Sequence, residues 1–257
     1  MAIIWADWSL PNNIIAGVSD RTGGFSKGAF NSNNMGLHVG DDALSVEKNR
    51  VQLQQQLEQE LKRQSAVYEQ LNWQWLEQVH GTHVIEASHQ TISQLPEADA
   101  VLCDQSFIVA SVMTADCLPI LLCTEDGAHT AAIHAGWRSL CHGIIEETVL
   151  RIQAKTDKKI LAWFGPAIGA DVFEVGHEVK SAFVAKQSQA ESAFSAQGDG
   201  KYLADIYQLA SLRFARLGIA DISGGQSCTY KDDQHFFSYR KHHETGRMVS
   251  FIVKTSQ

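Results

Sequence analysis

The chain has 257 residues, of which 44% are hydrophobic and 19% are charged, and this composition fits a globular protein with a sizeable core. Its formal net charge of −8 argues against binding to nucleic acid, because phosphate backbones are held by clustered lysine and arginine side chains. No stretch approaches the roughly 18 apolar residues of a membrane span, and the N-terminus lacks the pattern of a signal peptide.

The first half of the sequence predicts one long helix and several short strands. Turn-forming residues surround a predicted strand at 14–18. Asp41 or Asp42 is expected to cap a helix that ends near residue 63. Apolar runs then predict strands at 73–79, 84–87, 98–102, 107–113, 119–123 and 130–134, with a hairpin turn at 125–127.

The second half mixes helices and strands without a regular period. Helices are predicted at 140–154, 176–185 and 203–217, with Gly218 as the C-cap of the last one. Strands are predicted at 159–164, 219–223, 235–240 and 248–253, and residues 187–200 are predicted to form a polar, mobile loop. The pattern favours an irregular α/β fold, or an α+β fold, built around a mixed sheet.

The five cysteines also carry information. An odd number of cysteines, without a signal peptide, predicts reduced thiols and a cytoplasmic protein. At least one thiol is then free for metal or nucleophilic chemistry.

One cysteine and two histidines stand near the ends of predicted strands. Cys117 follows Thr114-Ala115-Asp116, His80 lies in Gln78-Val79-His80-Gly81, and His134 precedes Ala135-Gly136-Trp137-Arg138. A thiolate and two imidazoles suit zinc and leave one tetrahedral position open. The spacing is not that of a zinc finger, and with 11 histidines a chance triple and a plain core thiol both remain open alternatives.

Other residues near these segments have both a functional and a structural interpretation. Asp116 places a charge in an apolar stretch, where it either serves the site or caps a turn. A helix that starts near Arg138 would offer free N–H groups to an anion, or Arg138 is a surface side chain. Arg21 precedes a glycine turn that could form an anion nest. The C-terminal tail is basic through Arg240, Lys241 and Arg247. These side chains either bind phosphate or are solvated.

Taken together, these segments resemble the YfiH-type family, also called laccase-domain or polyphenol oxidase-like proteins, which includes bacterial purine nucleoside phosphorylases. The similarity runs through nearly the whole chain in the same order. It rests on Arg21-Thr22-Gly23-Gly24, Asn34-Met35-Gly36-Leu37-His38, Asn49-Arg50, Gln78-Val79-His80-Gly81, Thr114-Ala115-Asp116-Cys117, His134-Ala135-Gly136-Trp137-Arg138, Phe164-Gly165-Pro166, Phe237-Ser238-Tyr239-Arg240 and Thr245-Gly246-Arg247.

The resemblance implies one α/β domain over residues 1–257, related to bacterial cysteine-hydrolase-like toxins. It implies a metal, usually zinc with copper possible, on His80, Cys117 and His134. It also implies phosphorolysis of adenosine, inosine and methylthioadenosine, with deamination of adenosine as a second activity. The expected partners are therefore a small purine nucleoside and phosphate, with no nucleic acid and no membrane.

The same resemblance suggests roles for individual side chains. The catalytic group would be His80, Cys117 and His134, with Asp116 moving a proton or orienting its neighbours. The expected substrate-binding residues are Arg21, Asn34, His38, Arg138 and Arg240.

Three other functions compete with this hypothesis. A metal-free cysteine hydrolase would use Cys117 as nucleophile and could act on cell-wall peptide precursors. A copper polyphenol oxidase would need further histidines and usually a methionine ligand, yet the sequence has no His-x-His pair. A zinc-binding partner protein without activity is the third possibility.

Overall fold

Two β-sheets stack face to face, and helices cover both outer surfaces, in a computed structural model that describes residues 3–64 and 69–256. The strands in chain order are β1 Ile3–Trp5, β2 Ile14–Ser19, β3 Asn72–Gln74, β4 Val84–Glu86, β5 Ala100–Cys103, β6 Ile108–Thr114, β7 Leu118–Thr124, β8 Thr130–Ala135, β9 Ile160–Phe164, β10 Glu174–Gly176, β11 Phe194–Gly198, β12 Lys201–Ala204, β13 Ile222–Gly224 and β14 Met248–Lys254. The α-helices are α1 Ala43–Gln64, α2 Trp137–His142, α3 Ile144–Gln153, α4 His177–Lys186, α5 Ile206–Arg216 and α6 Tyr239–His242.

Both large sheets are mixed. The first has the strand order β1-β2-β14-β6-β3, and the second has the order β13-β9-β7-β8-β5-β4. Their inner pairs are antiparallel, whereas β3 with β6, β4 with β5, and β13 with β9 are parallel pairs at the edges. A small third sheet has the order β10-β12-β11. The predicted mixed α/β fold is therefore confirmed.

Strict alternation of side chains explains why the central strands are apolar throughout. In β7, Leu118 and Ile120 face the helices α2 to α5, while Leu121 faces the other sheet. In β14, Met248 faces the second sheet and Val249 packs under α1. Strands buried on both faces lose the polar alternation of a surface strand, so the chain forms four layers with helices outermost.

Most predicted elements appear close to their expected bounds, and two of them differ. The strand predicted at 73–79 ends after Gln74, because the following backbone turns away to pair with residues 96–98. The helix predicted at 140–154 is instead two helices, α2 and α3, separated by Gly143 at φ 102°.

Three predictions in the C-terminal half were wrong. The expected mobile loop at 187–200 forms a 3₁₀ helix, Ser188–Ala193, and strand β11. Residues 201–204 form strand β12 rather than the first turn of α5, whose cap is Asp205. The strand expected at 235–240 is a turn leading into α6, where Ser238 caps the helix. In each case local pairing and capping outweighed the pattern of polar and apolar residues.

Two further properties bear on the sequence analysis. No helix in the described part of the chain is long and apolar enough to cross a membrane. All five cysteines are unpaired, as expected for reduced thiols.

The left-handed conformation of Gly143 offers a test of the junction between α2 and α3. Gly143→Ala is expected to lower the free energy of unfolding by about 1–2 kcal/mol, because an L-residue is strained at this φ. Urea denaturation would measure the change. Leu150→Ala, on the exposed face of α3, is the control and should change stability by no more than about 0.5 kcal/mol. Equal stability of the Gly143 variant would contradict the assigned backbone.

Candidate metal centre

The three predicted ligands meet where the chain crosses from one sheet to the other. Strand β6 ends in the first sheet and β7 begins in the second, so residues 115–117 form the crossing. Asp116 makes the sharp turn with φ 91°. Cys117 therefore lies directly before β7, beside His134 near the end of the neighbouring strand β8.

A buried carboxylate that sequence analysis did not identify organises both histidines. Asp99 Oδ1 accepts hydrogen bonds from the backbone N–H of His80 at 3.0 Å and from Nδ1 of His134 at 2.7 Å. Asp99 Oδ2 accepts the N–H of Gly81 at 2.6 Å. The Asp99 side chain is fully buried. This arrangement fixes the loop that carries His80 and leaves Nε2 of His134 free to face the other two ligands.

The ligand atoms are close enough to share one ion. One ligand atom from each of His80, Cys117 and His134 lies within 4.8 Å of the other two. The distance between His80 Nε2 and Cys117 Sγ is 3.7 Å, and tetrahedral zinc with ordinary bond lengths gives about 3.5 Å for a nitrogen–sulfur edge. The two imidazole rings are 4.7 Å apart and nearly perpendicular at 74°.

The cluster leaves no room for a side chain at Gly136. A Cβ there would lie 2.7 Å from Cδ2 of His80 and 3.1 Å from Sγ of Cys117. The chain turns at Gly136 from β8 into α2, as the sequence predicted. The absence of a side chain lets the thiol and the imidazole approach each other.

Electrostatics favours a charged thiolate in the metal-free protein. Burial would raise the pKa of Cys117, but the charge of His134 and hydrogen bonds from His134 and His80 lower it to about 6. Burial would lower the pKa of His134, but Cys117 and Asp99 raise it to about 9. By contrast, burial raises the pKa of Cys103 to about 11 and that of Cys123 to about 12. Cys117 is thus the thiol with anionic character.

The cluster opens into a cleft of about 780 Å³, within the size range of small-molecule sites. The wall combines aromatic, apolar and cationic side chains. It includes Leu37, His38, Arg50, Trp75, Glu77, Gln78, Leu95, Met113, Tyr239 and Arg247, besides the three candidate ligands.

Two of the predicted substrate-binding residues support loops near the cleft. Asn34 is buried, and its Oδ1 accepts the N–H groups of Gly36 and Arg247 at 2.9 and 2.8 Å. Arg21 donates to backbone carbonyls of Asn31 and Asp233 and lies 4.7 Å from the centre of the Phe237 ring. Neither side chain is in the cleft wall, and their direct contact with substrate stays a prediction.

The remaining predicted residues divide between the cleft and the surface. His38 lines the cleft. Arg138 is exposed and lies over Trp137, and Arg240 donates to the carbonyl of Glu174. Asp116 accepts a hydrogen bond from Thr229 Oγ1 and another from the backbone N–H of Arg240, both at 2.6 Å. The carboxylate thereby ties the crossing segment to the C-terminal region.

The comparison with known proteins decides the family. The model of the family described as multi-copper polyphenol oxidoreductase laccase matches residues 15–255. The chain belongs to this family.

Relatives in this laccase family carry a different enzymatic name. Purine nucleoside phosphorylase YfiH of Shigella flexneri is 46% identical over 250 residues, covering 97% of this chain and 98% of that protein. A purine nucleoside phosphorylase of Haemophilus influenzae is 43% identical over 254 residues, covering 98% and 99% of the two chains. The crystal structure of a DUF152-family protein from Neisseria meningitidis has a TM-score of 0.90 at 39% identity and covers 100% of both chains. The predicted resemblance is confirmed.

Asp99→Asn tests how this laccase-family site is organised. An amide has one accepting oxygen, so its NH₂ group must face either the N–H of Gly81 or the two groups now bound to Oδ1, the N–H of His80 and Nδ1 of His134. The variant is expected to bind zinc about 10- to 100-fold more weakly, as measured by competition with a chromophoric chelator. Asp104→Asn, at the exposed opposite end of β5, is the matched control. Unchanged zinc affinity in Asp99→Asn would contradict the organising role.

The thiolate gives a second prediction with a defined pH dependence. In the metal-free protein, the ultraviolet absorbance of thiolate should be present at neutral pH and fall as the pH decreases through about 6, because protonation of Cys117 removes it. Cys117→Ser should lack this signal. A transition near the pKa of an ordinary thiol, above pH 8, would show that His134 does not stabilise the thiolate.

Proposed function

We propose that the chain is a metal-dependent purine nucleoside phosphorylase that also deaminates adenosine. The observation that carries the proposal is the convergence of one thiol and two imidazoles at the wall of a cleft sized for a small molecule. The names of relatives at 46% and 43% identity support phosphorolysis of purine nucleosides. Adenosine, inosine and methylthioadenosine are the proposed substrates.

The donor set fits zinc better than it fits the copper sites of a laccase. One soft thiolate and two imidazoles, with a carboxylate behind one imidazole, are typical of zinc. When bound there, zinc supplies Lewis-acid activation of water or of a substrate oxygen. The residues of the chain hold the ion, orient the histidines and bring the nucleoside beside it.

The aromatic wall provides a surface for the purine. Trp75 is covered on its ring face by Arg50, whose guanidinium carbon lies 3.8 Å from the ring centre. Tyr239 is 52% exposed and also lines the cleft. Arg247 lies 5.8 Å from the centre of the Tyr239 ring and His243 meets that ring edge-on, so we assign purine stacking to the solvent-exposed part of the Tyr239 ring.

The two proposed reactions share a substrate and differ in the attacked atom. In phosphorolysis, a phosphate oxygen bonds to C1′ of the ribose, the C1′–N9 bond breaks, and the purine leaves with its electron pair and takes up a proton. The products are ribose 1-phosphate and the free base. In deamination, water adds to C6 of adenosine, the C6–N6 bond breaks, and ammonia leaves to give inosine.

Asp116 acts in this proposal by orienting the site. Each of its oxygens accepts a hydrogen bond at 2.6 Å, one from Thr229 and one from the backbone of Arg240. These contacts hold the turn that precedes Cys117. Of the two roles considered for Asp116, positioning is therefore favoured over proton transfer.

A cysteine hydrolase is the second candidate, and one observation favours it. The pKa of Cys117 is lowered to about 6, and an adjacent imidazole paired with a carboxylate is the arrangement that activates a nucleophilic thiol. A zinc enzyme and a thiol hydrolase are separated by chelation, because removal of metal abolishes the first activity and spares the second.

Two further alternatives are weaker. A laccase requires several copper centres. Within residues 3–64 and 69–256, the histidine, cysteine and acidic side chains form one group that could hold a metal ion. A zinc-binding partner protein would show no turnover of adenosine with or without phosphate. Phenol oxidation and nucleoside turnover, measured on the same zinc- and copper-loaded samples, distinguish all three.

Cys117→Ser is the direct test of the proposed function. Replacing the soft sulfur ligand with a hydroxyl should lower zinc content and both nucleoside activities together, by about 100-fold or more in turnover if each reaction needs the ion. Elemental analysis of purified protein and assays of adenosine with and without phosphate provide the two readouts.

Cys141→Ser provides the matched control for the loss of a thiol. Cys141 is a buried residue of α2, so its replacement should lower stability while leaving zinc content unchanged. Full zinc loading in Cys117→Ser, or loss of zinc in Cys141→Ser, would show that a different thiol is the ligand.

A further inference from the structure

Two arginines in the cleft wall are not neutralised by an acidic partner. Arg50 on α1 and Arg247 directly before β14 both line the cleft. In the part of the chain that the structure describes, neither forms an ion pair, whereas Arg151 and Arg213 pair with glutamates. Burying an unpaired cation is costly, so the cleft is prepared for an anion.

The guanidinium of Arg50 is held rigidly. Its Nε and Nη2 donate to the carbonyl of Met35 at 2.9 and 2.7 Å, and its plane lies against Trp75. Burial lowers the pKa of Arg50 to about 10, although Glu47 acts in the opposite direction. Within the described residues Nη1 donates to no acceptor, which leaves one edge of the guanidinium for a ligand.

Arg247 is fixed in a comparable way by the same segment, residues 34–36. Its backbone N–H donates to Oδ1 of Asn34, and its Nη1 donates to the carbonyls of Thr245 and Gly246, both at 3.0 Å. Its Cγ packs so close to Gly36 that a Cβ there would lie 3.0 Å away. Its Nε and Nη2 have no acceptor among residues 3–64 and 69–256. Both guanidinium groups therefore have unpaired N–H groups, and both line the same cleft.

The neighbouring groups support this grouping. The charges of Arg247 and Arg50, together with burial, lower the pKa of His38, which places the three side chains close together. The anionic neighbours of Arg247 are Cys117 and Asp116. Asp116 is already engaged by Thr229 and the backbone of Arg240, and Cys117 belongs to the metal cluster. In the described part of the chain Asp116 forms no ion pair with Arg247, so the guanidinium has no carboxylate in direct contact.

We propose that Arg50 and Arg247, together with the nearby His38, bind a phosphate dianion next to the metal cluster. The inference rests on the proposed function, in which this dianion is the attacking co-substrate. Two rigid guanidinium groups recognise up to three phosphate oxygens and leave one oxygen free to bond to C1′ of the ribose. The phosphate role is thus assigned to these cleft arginines rather than to Arg138 and Arg240.

Arg247→Gln tests the site with little loss of side-chain volume. Loss of one charged donor is expected to raise the KM for phosphate in inosine phosphorolysis about tenfold or more, while the KM for inosine and the rate of adenosine deamination change less than about threefold. Arg247→Lys should restore part of the phosphate affinity, since the charge returns without the planar donor pair. Arg216→Ala, an exposed arginine on α5, is the control for a general change in charge.

Binding without turnover separates this inference from the proposed function. Calorimetry with inorganic phosphate on the zinc-loaded protein should show binding in the wild type, weaker binding in Arg247→Gln and Arg50→Gln, and wild-type binding in Arg216→Ala. If the wild type binds phosphate through these residues but turns over no nucleoside, the anion site stands and the proposed function fails. If nucleoside is cleaved but the KM for phosphate is unchanged in both variants, the assigned site is wrong. If adenosine 5′-monophosphate binds through these arginines and inorganic phosphate does not, the role as co-substrate site is overturned.

Discussion

The carboxylate of Asp99 joins the parts of the site that the chain itself keeps far apart. Its two oxygens accept the N–H groups of the His80 loop and the imidazole N–H of His134. An ionised carboxylate accepts and never donates, so four lone-pair sites can serve several donors at once. This carboxylate fixes the position of the His80 loop and selects the imidazole nitrogen of His134 that faces Cys117.

The stacking of two sheets explains why the thiol lies at the same place. A chain that passes from β6 to β7 must leave one sheet and enter the other within residues 115–117. Asp116 adopts a left-handed conformation to make this passage, and its carboxylate secures the turn from the C-terminal side. The layers on either side are packed with apolar side chains, so the crossing is rigid and the thiol is held beside His134.

The family name and the names of its relatives point to different chemistry, and the donor atoms help to choose between them. A laccase needs a blue-copper centre and a separate copper cluster, whereas the described residues bring together one group of two imidazoles and one thiolate, a donor set that zinc also accepts. Phenol oxidation gives no reason for two unpaired arginines in the cleft, since a phenol carries no charge for them to bind. The proposed phosphorolysis, in which the ribosyl group passes from the base to phosphate, would use both features of the cleft.

The sequence predicted the ligand set and most of the central strands for clear physical reasons. Strands buried on two faces are apolar without interruption, and Cys117, His80 and His134 stand beside small residues and turns where such strands end. It did not single out Asp99, because a lone aspartate before an apolar run has the same signature as an ordinary strand-start residue. Arg50 was likewise hidden, since on a long solvated helix it resembles any other polar residue of α1.

Local patterns alone therefore indicated the three candidate ligands, the mixed α/β character and the family resemblance. The tertiary structure alone decided which distant groups share a cavity. Residues 187–200 became a 3₁₀ helix and a strand because β12 pairs with them, and Arg50 and Arg247 face one cleft because α1 packs on the sheet that contains β14. Both outcomes depend on contacts between segments far apart in the chain, and such contacts leave no periodic signal in the sequence.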